Sequence, residues 1–387
     1  MKLRRRAAKD VEELANTPVE PVKPIKVHRR NLLSTGSTLL NLACSDNPFG
    51  GFLKGKYYFL VGDSASGKTF LSMTCFAEAS INKMFKDYRL IYDNVEDGCL
   101  MDLEGLFGKS VAKRIEFPGG KDKEGVPIFS STIEEFYFNL DDAVKVGKPF
   151  IYVLDSMDGL SSDYEGKKFK DRKKAYLKKL FGRRRGEQPD KKEDDGKKEA
   201  AVTGSYGDGK AKKNSENIRI AVNDLRKTGS ILLVLAQTRD NFDFGWEKKT
   251  RAGGHALRFY ATVEIWSSVI GQITKVVNDQ KRSIGVDVKL KIKKNRITGK
   301  TPTVETAIYP SYGIDDVGTC VDYLIEEKHW AKEKQSIVAH EFDITATRDK
   351  LIKLIEEREL ENDLRMIVGK VWREIEDASK PQRKSRY

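Results

Sequence analysis

An α/β fold, with a twisted and mostly parallel sheet flanked by helices, is what this 387-residue sequence predicts. Three observations carry that expectation. Four short, continuously apolar runs, Tyr57 to Val61, Leu90 to Tyr92, Phe150 to Leu154 and Ile231 to Ala236, each end in polar residues. Runs of this length without polar alternation read as strands buried on both faces. Helical segments at 132–146 and 215–227 stand between them, which is the spacing of βαβ units. Finally, the first run leads into Gly62-Asp63-Ser64-Ala65-Ser66-Gly67-Lys68-Thr69, and the apolar segment Phe70 to Ser80 that follows reads as a helix.

That octet fits G-x-x-x-x-G-K-[ST] in the strand–loop–helix setting the pattern requires. Gly62 and Gly67 let the backbone turn tightly, so that successive N–H groups face a phosphate and the helix start adds its positive dipole end. Gly62, Asp63, Ser64, Ala65, Ser66, Gly67, Lys68 and Thr69 are therefore the candidate nucleotide-binding residues. Lys68 would reach the β- and γ-phosphates, and the Thr69 hydroxyl would bind Mg²⁺. The expected ligand is a nucleoside triphosphate.

In chain order, residues 1–30 mix charges with Pro18, Pro21 and Pro24 and read as a short helix and an extended arm, a candidate contact between protomers. Leu39, Leu40 and Leu42 then mark a short buried helix, and Gly50-Gly51 turns the chain into the first buried strand. A core is expected over 31–311. From Ala261 the pattern changes to alternation: Val263, Ile265, Val286, Val288, Leu290 and Ile292 take every second place, with Glu264, Asp287, Lys289, Lys291 and Lys293 between them. These read as half-exposed antiparallel strands extending the sheet. Residues 312–387 read as a mostly helical C-terminal region. In it Leu351, Ile355, Leu364, Val368, Val371 and Ile375 mark one face of a single long amphipathic segment, and the tail from Lys380 is basic.

Charge narrows the function classes. The net charge is +13, and an excess of that size points to a polyanionic partner, nucleic acid before membrane. No apolar run approaches the roughly 18 residues of a membrane span, and the start MKLRRRAAKD lacks a signal-peptide core, so a soluble intracellular protein is expected. Cys44, Cys75, Cys99 and Cys320 are scattered and read as reduced thiols, and His28, His255, His329 and His340 show no metal-ligand spacing.

Two segments have the composition of nucleic-acid loops. Residues 161–213 form a long basic insertion, poor in large apolar residues after Phe181 and expected to be largely without a packed core, with a basic helix at about 165–181. Within it, 166–213 hold 18 Lys and Arg against 8 Asp and Glu. This surplus suits a phosphate backbone, with binding that weakens as salt rises. In 238–254, Phe242, Phe244 and Trp246 alternate with polar residues, and Arg239, Lys248, Lys249 and Arg251 surround them. Aromatics that stack on bases beside cations that track phosphates fit a single strand.

Together the motifs resemble those of the RecA family of DNA strand-exchange proteins, in particular its divergent phage-encoded recombinases. The resemblance runs from about Leu33 to about Trp330, interrupted by the insertion. It is carried by Ser34-Thr35-Gly36-Ser37, the phosphate loop, Tyr92-x-x-x-Glu96, Asp155-Ser156, Ala236-Gln237-Thr238-Arg239, Gly253-Gly254-His255-Ala256-Leu257-Arg258-Phe259-Tyr260-Ala261 and Lys293-Lys294-Asn295-Arg296. It implies a RecA-like P-loop NTPase core, ATP and Mg²⁺ as cofactors, and DNA-dependent ATP hydrolysis. Glu96 would orient the attacking water as general base, Asp155 would hold Mg²⁺ or its water, and Gln237 would sense the γ-phosphate. Lys294 and Arg296 would reach the ATP of a neighbouring subunit, and Lys212, Arg219, Gly253 and Gly254 would take part in DNA binding. The implied partners are single-stranded DNA, homologous duplex DNA, further copies in a helical filament, a single-strand binding protein and a loading mediator. The implied place is a bacterial or phage-infected cytoplasm, at the nucleoid. The chain departs from the family in its basic end, in the insertion, and after Glu96, where Leu100, Met101 and Leu103 offer only an apolar slot for adenine. Two other readings share these motifs: a recombination mediator or single-strand annealing ATPase, and a ring helicase motor.

Overall fold

In the computed structural model the described residues are 28–96, 101–184, 208–240, 249–251, 254–381 and 383, with side chains at 178–184, 208–213, 239–240, 249–251 and 254–255 outside the description. β1 (Leu32–Leu33) and β2 (Phe52–Leu53) pair as a short ribbon. The main sheet is built from β3 (Tyr57–Gly62), β4 (Arg89–Asn94), β5 (Ile115–Glu116), β6 (Phe150–Asp155), β7 (Ile231–Asp240), β8 (Lys249–Arg251), β9 (Val263–Val277), β10 (Gln280–Asn295), β11 (Thr303–Tyr309) and β12 (Gly313–Asp315). Its order is β12-β11-β10-β9-β3-β7-β6-β4-β5, with β8 paired to the end of β7.

The four apolar runs are β3, β4, β6 and β7, all parallel, and their unbroken hydrophobicity has a plain cause. Tyr58 and Leu60 of β3 enter one core with the helix Lys68–Ile81, while Tyr57, Phe59 and Val61 enter another beneath the helices Ile133–Lys145 and Asp208–Thr228. A strand covered on both sides buries every residue, so no position is left for alternation. The helix Ile133–Lys145 is closed at its start by Thr132, whose hydroxyl accepts from Glu135 N at 3.1 Å. Glu135 in turn accepts from Ser131 N at 2.7 Å, so two otherwise unpaired donors are satisfied.

β9 departs from the expected antiparallel arrangement. On the β3 side it runs parallel from Val263 to Ser267, whereas its other edge pairs antiparallel with β10 along its whole length, as expected. The helix Gly254–Tyr260 returns the chain across the sheet before β9, and such a crossover delivers a parallel strand. Glu264 is also not half-exposed: its side chain is buried, with Arg258 Nε at 3.0 Å and Trp266 Nε1 at 3.0 Å as partners.

The C-terminal region differs from expectation twice. Between the helices Asp316–Glu326 and Arg348–Glu357 lies a three-stranded antiparallel sheet, β13 (Ala331–Glu333), β14 (Ser336–Ala339) and β15 (Ile344–Ala346). Strands of three or four residues are too short to show a period. The amphipathic segment is two helices, Arg348–Glu357 and Glu361–Ala378, divided where Glu359 takes a left-handed φ of 55°. Both helices still present the expected apolar residues to one core, which also holds Leu39 and Leu40. In the insertion, the first helix spans Asp163–Arg184, and the helix Asp208–Thr228 begins before residue 213. Residues 185–207 lie outside the described residues.

Candidate active site

The C-terminal ends of β3, β4, β6 and β7 converge on one edge of the sheet, where open α/β sheets bind ligands. Gly62 is the last residue of β3 and pairs with Gln237 of β7 on one side and Ser267 of β9 on the other. A side chain at Gly62 would overlap Ser267 O and Ser66 Oγ, and Gly67 has a φ of +80° with Ile308 against its Cα. Both glycines are thus required by space and conformation. The loop is braced from within: Ser66 Oγ donates to Asp63 O at 2.7 Å, Ser267 Oγ donates to Ser66 O, and Thr238 Oγ1 donates to Asp63 Oδ1. The helix Lys68–Ile81 starts directly after Gly67, so its first free N–H groups face the loop.

Lys68 Nζ donates to Asp63 O at 2.7 Å and to Gly62 O at 3.0 Å. Burial lowers its pKa, opposed by the carboxylates of Asp155, Glu96, Asp63 and Asp158. Thr69 Oγ1 donates to Asp155 Oδ2 at 2.7 Å, and Tyr92 OH donates to the same oxygen at 3.1 Å. Desolvation raises the pKa of Asp155, while those two donors work against the rise. A hydroxyl and a carboxylate side by side at a helix start are hard oxygen donors, a set that fits Mg²⁺. The lysine and the backbone N–H groups around it are the donor set that fits triphosphate oxygens.

Glu96 follows β4 and is exposed. Ser156 Oγ donates to its Oε1, and Gln237 Nε2 donates to Oε1 at 3.2 Å and Oε2 at 3.3 Å. Gln237 is held in turn by its backbone N–H, which donates to Asp158 Oδ2 at 2.6 Å. The structure therefore brings together Lys68, Thr69, Asp155, Glu96 and Gln237, five candidates separated by up to 169 positions in the chain.

Lys294 and Arg296 are not part of that group within the chain. Asn295 pairs with Val263, and Gly62 with Ser267, so the two cations sit about 13 Å along the sheet from the loop. Lys294 Nζ donates to Arg258 O at 2.6 Å and Phe259 O at 2.7 Å, and Arg296 Nη2 donates to Phe259 O at 2.7 Å. Both cap the carbonyl end of the helix Gly254–Tyr260, where the dipole favours cations. Burial, with Arg296 beside it, pushes the Lys294 ammonium down to about 8. If Lys294 must be charged to meet a neighbour's nucleotide, ATP-dependent association of protomers weakens as pH rises through that value, by up to about tenfold per unit for one linked proton. Light scattering between pH 7 and 9 checks this, and Lys294→Arg, charged throughout, should flatten the profile.

Sequence reasoning missed a cavity of about 530 Å³ beside the loop, lined by Ala65, Gly67, Thr69 and Phe70 and, from the sheet, by Ile284, Val286, Ile308 and Pro310. It offers an apolar surface next to the phosphate loop. By contrast Met101 and Leu103, read as an adenine slot, pack against the core, and Leu100 lies outside the described residues. Nothing local in the sequence marked the cavity, because its walls come from strands whose residues read as ordinary sheet positions.

Of the nucleic-acid candidates, Arg219 is exposed on the helix Asp208–Thr228. Lys212 lies in that helix, Arg239 in β7, Lys249 and Arg251 in β8 and Gly254 at a helix start, with their side chains outside the description. Phe242, Phe244, Trp246, Lys248 and Gly253 lie outside the described residues. β8 pairs with β7 from Thr238 to Asp240, so the segment after Gln237 starts and ends on one ladder. Among the described residues, no helix is long and apolar enough to cross a membrane.

Comparison with known proteins adds a family. The RecA N-terminal domain family matches residues 192–315. Protein RecA of Cytophaga hutchinsonii is 26% identical over 302 residues, covering 76% of this chain and 68% of that protein. Protein RecA of Deinococcus radiodurans is 31% identical over 173 residues, covering 43% and 47%. Among solved structures, the crystal structure of the RadB recombinase has a TM-score of 0.46 at 14% identity, covering 73% of this chain and 98% of that one. The phosphate loop at the end of β3, the ordered motifs on the neighbouring strands and relatives that match 76% of the chain agree in making this chain similar to the RecA family.

Proposed function

We propose that this chain is an ATP-dependent DNA recombinase, which assembles as a helical filament on single-stranded DNA and pairs that strand with homologous duplex DNA for exchange. The observation that carries the reading is the contact between Gln237 and Glu96. It joins the carboxylate suited to activating water to the residue that opens the 238–254 segment. Each residue has a part that follows from its place. Lys68 neutralises phosphate charge, and Thr69 with Asp155 holds Mg²⁺, which when bound withdraws charge from the phosphate oxygens. Glu96 orients the attacking water and takes its proton, with Ser156 and Gln237 fixing the carboxylate. The 530 Å³ cavity beside the loop receives the base.

Lys294 and Arg296 act on the ATP of the adjacent protomer, with the arm at 1–30 as a further protomer contact, the core at 31–311 and a mostly helical region at 312–387 that also holds the sheet β13–β15. The helix Gly254–Tyr260 ends on both cations, so a change in the segment before it is felt at the next protomer's nucleotide. DNA contacts come from the basic helix Asp163–Arg184 with the rest of the insertion, from Lys212 and Arg219, and from Arg239 to Gly254. The reading includes a cytoplasmic site of action at the nucleoid, with a single-strand binding protein and a loading mediator as partners.

ATP hydrolysis by the full chain, with and without single-stranded DNA, tests the proposal through Gln237→Ala. The variant should lose at least tenfold of the ratio of DNA-stimulated to basal hydrolysis, because the water-orienting carboxylate no longer reports to the DNA segment. Undiminished stimulation in the variant would sink this coupling. Tight DNA binding by the parent protein without any stimulated hydrolysis would replace the recombinase with the mediator reading.

A further inference from the structure

The four histidines have no ligand spacing along the chain, yet the fold brings two of them together with a carboxylate far from the nucleotide site. His329 stands in the turn after the helix Asp316–Glu326, held by its backbone N–H donating to Leu324 O at 2.9 Å. His340 and Glu341 occupy the 3₁₀ turn His340–Phe342 between β14 and β15. His329 Nε2 lies 2.5 Å from Glu341 Oε1 and His340 Nε2 lies 3.4 Å from it, and one ligand atom of each residue falls within 4.8 Å of the others. A tetrahedral zinc ion with nitrogen and oxygen ligands near 2.0 Å needs them about 3.3 Å apart, so small side-chain shifts suffice.

The support around the cluster is also in place. Trp330 is 1% exposed, packs edge-on against Phe342 and donates from Nε1 to the other oxygen of Glu341 at 2.7 Å. An outer hydrogen bond of that kind fixes a ligating carboxylate and leaves Oε1 aimed at the imidazoles. Two imidazoles and one carboxylate are the donor set that zinc and the neighbouring late divalent metals prefer, unlike the all-oxygen set at Thr69 and Asp155.

We propose that His329, His340 and Glu341 form a zinc-class metal site that ties the helix-to-β13 turn to the β14–β15 turn and so fixes the small C-terminal sheet. Three protein ligands leave a fourth position to solvent or to an external donor.

The test is titration of Zn²⁺ into the tag-free, chelator-stripped full chain in excess Mg²⁺, with Co²⁺ absorption as a spectroscopic companion. One Zn²⁺ should bind per chain, with hydrogen exchange slowed over 329–346 and a Co²⁺ spectrum free of a thiolate charge-transfer band. His340→Ala, at a half-exposed position that packing does not need, should weaken binding at least tenfold, and His329→Ala should do the same. His28→Ala should leave it unchanged. Failure of the parent chain to bind, or equal binding by parent and His340→Ala, would overturn the site and reduce the cluster to an ion pair. ATP hydrolysis plays no part in these readouts, so the outcome is independent of the recombinase reading.

Discussion

Glu96→Gln should lower DNA-stimulated ATP hydrolysis by about 10²–10⁴-fold while leaving nucleotide binding within about twofold. The substitution keeps the size and planarity of the side chain, so Ser156 still has an oxygen to donate to and the end of β4 keeps its shape. What disappears is the ability to accept a proton from water. Because the carboxylate is not among the groups suited to holding phosphate or Mg²⁺, the loss falls on turnover and not on binding. The variant should therefore accumulate in its ATP-bound form, and its assemblies on single-stranded DNA should outlast those of the parent chain. Steady-state hydrolysis, nucleotide titration calorimetry and dissociation rates from DNA check the three parts separately. A rate within threefold of the parent would remove Glu96 from its assigned role.

The opposite pattern is expected at Lys68. Lys68→Ala should reduce hydrolysis by about 10²–10³-fold or more and abolish ATP-dependent assembly, because the lost cation faces phosphate both in the bound state and during transfer. The effect is large because the site is partly buried: charges a few ångströms apart at an effective dielectric near 20 interact by about 4 kcal/mol, against about 1 kcal/mol in water. The substitution also removes a cation whose field helps keep Asp155 ionised against its desolvation. Mg²⁺ binding should fall with nucleotide binding as a consequence. Nucleotide-independent DNA binding should persist, since the cations of the basic helix Asp163–Arg184 and of the other DNA candidates do not depend on the Lys68 charge. Calorimetry with an ATP analogue and a fluorescence-based DNA titration separate the two. Retained ATP-dependent assembly in this variant would contradict the assignment of the loop.

Set side by side, the two variants divide binding from turnover, and only the recombinase and motor readings need both. A mediator that uses ATP purely for assembly would lose function in Lys68→Ala and keep it in Glu96→Gln.

Much of this molecule was legible in the sequence because the signals were local. The octet Gly62 to Thr69 lies in one stretch, and its glycines, lysine and threonine have roles set by backbone geometry that any such loop shares. The buried parallel strands announced themselves through unbroken apolar runs, since covering both faces of a strand removes alternation. Glu96, Asp155 and Gln237 could be nominated because each follows such a run within a short motif that resembles those of the RecA family. What the sequence left undetermined depends on which strands become neighbours. Register alone places Gly62 beside Gln237 and the cations Lys294 and Arg296 at the other end of the sheet. That β9 is parallel to β3 on one edge and antiparallel to β10 on the other reflects a crossover helix before it and a hairpin after it, and a pattern with period two is the same for both. The cavity beside the loop and the His329–His340–Glu341 cluster were hidden for a related reason. Their walls and ligands come from elements distant in the chain, and only the packing of those elements onto a shared core sets their separations in space.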